Sequence, residues 1–247
     1  MSRSFRAVVL FAAVISFPLI SARAVGQSQC PVWYVGDRIG IDFRTKPPSV
    51  RTDFGITQLE GTSIACDSVT GNVLFYTNGV VIADRTHAIM PNGSGLLGHN
   101  SSTQSALVIP MPGRSGWYYV FTSDQEGNAG GNPRGHYYST VDMSLRGGLG
   151  DVVQKNVPMP TPVVMSERLT AIKRCDIEGY WVITHSRNGN HFYSWPVAVS
   201  GVGAPVASLA GPVLSTEQPL GALTPSHNGL RLVMTARNDH RVDLLEF

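Results

Sequence analysis

Charge is the first shortage. Asp, Glu, Lys and Arg make up 15% of the 247 residues, 19 basic against 17 acidic for a net charge of +2. The basic residues are scattered, so no stripe exists to neutralise a phosphate backbone and nucleic acid is not expected as a partner. Cysteine is nearly absent: Cys30, Cys66 and Cys175 include no Cys-x-x-Cys and no Cys/His ligand spacing, which removes a structural zinc site from consideration. An odd number permits at most one bridge. Cys66 and Cys175 fall in strand-like stretches, where a small buried apolar side chain is expected rather than a bridge. Long hydrophobic runs are missing after residue 24, because Gly, Pro, Asn and Ser interrupt each one. No membrane span is therefore expected after that point. Helical periodicity is missing too.

The N-terminus is the exception. Arg3 and Arg6 precede an apolar run from Ala7 to Ile20, and Ala22-Arg23-Ala24 supplies small residues at both cleavage-defining positions. A membrane anchor needs about 18 or more uninterrupted apolar residues, whereas Pro18 breaks this run. Residues 1–24 thus read as a cleaved signal peptide, and the expected localisation is secreted or cell-surface. Residues 25–247 then suit one β domain.

What the mature chain does contain is a repeat. Four apolar runs share one outline, a turn glycine, then alternating apolar and aromatic residues, then Thr: Gly71 to Thr77, Gly116 to Thr122, Gly179 to Thr184 and Gly229 to Thr235. Their glycines are 45, 63 and 50 residues apart, near the roughly 40–50-residue period of propeller blades. The expected fold is all-β and β-propeller-like, with about four antiparallel blades over residues 60–98, 102–158, 166–212 and 218–247. The last unit lacks an outermost strand. Either the strand-like segment 32–43 completes it from the N-terminal end, or the ring is incomplete and its open blade faces invite oligomerisation.

Several motifs also resemble a known group. Trp33-Tyr34-Val35-Gly36, Gly71 to Gly79, Met90 to Gly98, Ser101 to Ala106, Tyr138 to Leu145, Gly147 to Val152 and Glu167 to Ala171 follow the order of the N-terminal propeller-like region of large secreted Bacteroidetes proteins. Such proteins commonly continue into PKD-type domains and a type IX secretion sorting domain. The resemblance spans nearly all of the mature chain and implies a propeller. This chain carries neither a PKD module nor a sorting domain, as a truncated member would. The resemblance transfers no catalytic residues.

The polar run Gly98 to Gln104 enters an inner strand of the second unit, where propeller ligand sites line the channel mouth. His99, Asn100, Ser102 and Gln104 are therefore candidate ligand-binding residues, against the plainer role of satisfying loop backbone. Asp124, Glu126 and Asn128 alternate like the oxygen donors of a calcium loop, but Ala129 and Gly135 stand where that loop needs Gly and Glu. No metal and no cofactor are expected. A glycosidase needs two facing carboxylates. Glu167, just before the third unit's inner strand, is the acid to test first, with His185 and His227 in comparable positions. Trp117, Tyr118, Tyr119, Tyr180, Trp181, Phe192, Tyr193 and Trp195 offer rings for stacking, but alternation alone does not say which face outward.

The expectation that results is a secreted or surface-associated, non-enzymatic module that binds a glycan or protein partner. The alternative is a secreted polysaccharide hydrolase acting through channel-facing carboxylates.

Overall fold

The computed structural model describes residues 30–125, 135–214, 220–237 and 239–247. Residues 1–24, expected from the sequence to be a signal peptide, lie outside these. Among the described residues no α-helix forms; nineteen strands make five antiparallel sheets in a ring, a β-propeller arrangement. The first sheet holds β1 (Val32–Gly36), β2 (Ile39–Asp42) and β3 (Ser49–Arg51), and the second β4 (Ser63–Cys66), β5 (Val73–Thr77), β6 (Val81–Asp84) and β7 (Ile89–Ser94). The third comprises β8 (Ala106–Pro110), β9 (Trp117–Ser123), β10 (His136–Asp142) and β11 (Asp151–Met159). The fourth comprises β12 (Met165–Lys173), β13 (Gly179–Ser186), β14 (Gly189–Ala198), β15 (Gly201–Val202) and β16 (Val206–Leu214), and the fifth β17 (Leu223–Pro225), β18 (Arg231–Ala236) and β19 (Arg241–Glu246). Strands β1, β4, β8, β12 and β17 contact one another in that succession and so face the axis.

The repeat marks the hairpin between the first and second strands of a sheet. Gly71, Gly116 and Gly229 hold positive φ there, at 69°, 75° and 71°, a conformation that glycine adopts without steric cost. In the second, third and fourth sheets the apolar runs that follow are nearly continuous because each of these sheets is covered on both faces, whereas in the fifth β18 alternates buried and exposed residues. Period-two alternation sends successive residues into different cores. On β9, Tyr119 and Phe121 enter the core shared with the fourth sheet, while Val120 enters the one shared with the second. On β13, Val182 and Ile183 divide in the same way between the third and fifth sheets. Four such cores join five sheets. Trp195, Phe121, Phe75 and Tyr76 are among the largest side chains fully removed from water, each a burial that contributes about 2–3 kcal/mol.

Two expectations are corrected. Residues 32–43 do not complete the last blade: among the described residues β19 pairs only with β18, and β1 and β2 build a further sheet with β3. The blade count is therefore five. The reason lies in the contacts of this segment. Past Pro47-Pro48 the chain returns as a third strand, and Tyr34 stacks on Phe54 at 4.9 Å with Tyr76 of β5 edge-on to both. The second correction concerns cysteine. Cys30 is disulfide-bonded to Cys66, tying the first sheet to the second, and Cys175 is a free, exposed thiol rather than a buried apolar filler.

The outer faces of the two end sheets are bare. Trp33 and Val50 flank Ile41 in one cross-strand row of the first sheet and are 55% and 70% exposed. Val242 and Leu244 on the fifth are 68% and 63% exposed. No helix of the described residues is long and apolar enough to cross a membrane.

Candidate functional site

At one end of the axis the turn 99–105 is wedged among the entries to three sheets. Asn100 accepts Leu59 N–H and Glu60 N–H at its carbonyl, at 3.2 and 3.1 Å. His99 accepts the Ser101 N–H on Nδ1 at 3.1 Å. The buried Ser102 hydroxyl donates to the Ser123 carbonyl at 3.0 Å. Gln104 ties three sheets: Oε1 accepts Leu169 N–H (3.1 Å) and Leu223 N–H (2.8 Å), and Nε2 donates to Leu223 O (3.2 Å). The side chains of Ser102 and Gln104 and the backbone of Asn100 are thus taken up by neighbouring backbone. Gly61 permits this close approach, since a Cβ there would sit 2.4 Å from Ser105 N.

Glu167 sits at this mouth. It is 2% exposed, and its Oε2 accepts Thr103 N–H at 2.7 Å and the Thr103 hydroxyl at 3.0 Å. Burial raises its pKa; the two Thr103 bonds oppose the rise, and Glu60 adds to it. Glu60 Oε2 lies 3.5 Å from the same hydroxyl, so two carboxylates converge on one proton donor. Arg168 next to it is fully buried and donates to the Thr235 and Leu220 carbonyls at 2.7 and 3.0 Å, anchoring the fifth sheet. Desolvation lowers its pKa to about 10, which leaves it cationic at neutral pH.

His185 and His227 do not join this acid. His185 is fully buried with its ring edge-on to Phe192 at 4.5 Å, and desolvation lowers its pKa to about 4. His227 is exposed on the β17–β18 turn, at the other end of the strands. Asp124 is buried, with Oδ1 accepting Gln125 N–H at 3.1 Å; Glu126 and Asn128 lie outside the described residues. Among the described residues no three His, Cys, Asp or Glu side chains are grouped so as to hold a metal.

A second feature lies at the opposite end of β9, between the third and fourth sheets. Here a cleft of about 660 Å³ is lined by Arg114, Trp117, Tyr119, Tyr138, Thr140 and Gln154 on one side and the turn Val199–Val202 on the other. Its volume falls in the roughly 300–1,000 Å³ range of ligand sites. Register explains the wall. Tyr119 pairs with Thr140, which pairs with Gln154, while Trp117 and Tyr138 project from the same face. The wall therefore grades from the buried Tyr119 to polar groups at its rim. Arg114 is exposed, and its guanidinium lies over the Trp117 ring, 3.4 Å from the centroid. Tyr118 has the other parity and packs edge-on against Phe75 of the second sheet at 5.3 Å. Sequence reasoning picked out Trp117 and Tyr119 without knowing their direction, and Arg114 and Gln154 not at all. The usable signal was Arg114 three residues before an aromatic that begins a strand.

No protein-family model, curated protein or solved structure matches the chain. Chemically, the axial mouth can hold or move a proton between Glu60, Thr103 and Glu167, and the cleft can stack a flat ligand face and hydrogen-bond its edge.

Proposed function

We propose that the chain is an exported, non-enzymatic binding module of propeller build that engages a glycan through the cleft between its third and fourth sheets. The observation that carries the reading is the cleft itself: aromatic rings of Trp117, Tyr119 and Tyr138 beside the hydrogen-bonding Thr140 and Gln154. Sugars present apolar C–H faces and polar edges, and such a wall matches both. Export rests on the signal-like segment 1–24. The likeness to secreted Bacteroidetes propeller regions agrees with it. The bare faces of the first and fifth sheets favour association with a second copy.

Hydrolysis is the second reading, and the convergence of Glu60 and Glu167 on Thr103 favours it. A buried acid with a raised pKa beside a second carboxylate is the arrangement general acid catalysis uses. The deciding experiment is a polysaccharide panel offered to residues 25–247 and scored for both binding and product release. Binding without release supports the module. Release that Glu167→Gln abolishes replaces it with the hydrolase.

A further inference from the structure

Among the residues that line the cleft, Arg114 alone carries a formal charge; Glu178, which lines the adjoining groove with Arg114 and Trp117, accepts the Gly113 N–H on Oε1 at 3.0 Å and forms no ion pair with the guanidinium. The next sheet repeats the device with one difference. There Arg174 lies over Trp181, 4.7 Å from the ring centroid, and is paired with Asp176 at 2.6 Å. Both arginines stand on the hairpin that leads into the second strand of a sheet, beside the tryptophan near the start of that strand. Arg174 has its carboxylate within the chain; no ion pair is formed by Arg114 among the described residues.

Stacking on indole fixes a guanidinium plane but does not neutralise it, because the ring offers only a quadrupole. The N–H groups at the guanidinium's edge stay available in a planar fork that matches a carboxylate or sulfate. A cation so placed, over an aromatic wall that carries Gln154 and Thr140, is complementary to a sugar with an anionic substituent. We propose that the cleft takes an acidic glycan, with the carboxylate or sulfate of the sugar held by Arg114 in the role that Asp176 plays for Arg174. The proposal rests on the glycan-binding reading above and narrows its ligand class.

The test uses isothermal titration of residues 25–247 with oligogalacturonate, its fully methyl-esterified form, a sulfated galactan oligosaccharide and a neutral galactan oligosaccharide. Oligogalacturonate or the sulfated chain should bind, the esterified and neutral chains should bind at least about tenfold more weakly, and added salt should weaken the tight complex. Tight binding of the carboxylated chain alone, or of the sulfated chain alone, identifies which anion the cleft accepts. Arg114→Gln should cost the anionic ligand about tenfold or more, while Arg174→Gln leaves it unchanged. Arg114 is exposed, so Arg114→Gln should keep the parent's melting temperature, and that measurement accompanies each titration. Equal binding of acidic and neutral chains, or an Arg114→Gln variant that binds as the parent does, would overturn the anionic ligand while leaving the glycan module standing. Failure of every chain to bind would overturn both.

Discussion

Replacing Gln104 by Ala removes three hydrogen bonds that join the third sheet to the fourth and fifth. Leu169 is 2% and Leu223 0% exposed, so the amides left behind are poorly placed to find water. A net hydrogen bond contributes about 1 kcal/mol, and a buried amide left without a partner costs about 1–3 kcal/mol. Gln104 itself is only half-buried, and water entering its place offsets part of the loss. The expected destabilisation is about 3 kcal/mol, or a fall in Tm of about 6–12 °C for a domain of this size. Urea denaturation followed by tryptophan fluorescence measures it, with Ser101→Ala as the neighbour control. The Ser101 hydroxyl makes one long bond, 3.4 Å to Glu60, and its loss should stay within about 0.5 kcal/mol. A Gln104→Ala protein as stable as this control would refute the claim that Gln104 holds three sheets together.

Stability should also fall with acid below neutrality. Burial lowers the pKa of both His136 and His185 from 6.5 to about 4. The unfolded chain therefore binds protons between those values while the folded one does not, and stability is full above pH 6.5 and lost as pH falls toward 4. Each residue contributes up to about 3 kcal/mol to that loss, and a urea midpoint unchanged from pH 7 to 5 would contradict it. The Cys30–Cys66 bridge spans 36 residues, for which the chain-entropy account gives a stabilisation of about 4 kcal/mol. Reductant, or Cys30→Ser with Cys66→Ser, should lower Tm accordingly, and alkylation of the native protein should label Cys175 alone; a second labelled cysteine would refute the bridge.

How much of this was legible in the sequence follows from what kind of signal each part leaves. The Gly-to-Thr runs expose sheets two to five, because a hairpin glycine and the apolar strand that follows it are local properties. The first sheet carries no such run: Ile39–Asp42 is short, and its third strand, Ser49–Arg51, has three residues after two prolines. Its allegiance to the second sheet is decided by the distant contacts of Tyr34, Phe54 and Tyr76 and by the disulfide. The axial mouth was half legible. The polar run 98–104 and Glu167 were picked out, and they do meet through Thr103, yet the partners of Gln104 lie 65 and 119 residues away. The cleft was hardest to see. Parity places Trp117 and Tyr119 together, but which neighbouring sheet they face depends on the order of stacking, and Val199–Val202 arrives from that neighbour.

Hydrogen–deuterium exchange of residues 25–247, with and without the tightest-binding glycan from the panel, tests the central claim most directly. The account predicts protection confined to residues 111–119, 138–140, 154 and 199–202. Protection at 99–104 and 165–168 instead, with the cleft unchanged, would contradict it and move the site to the carboxylates at the axial mouth.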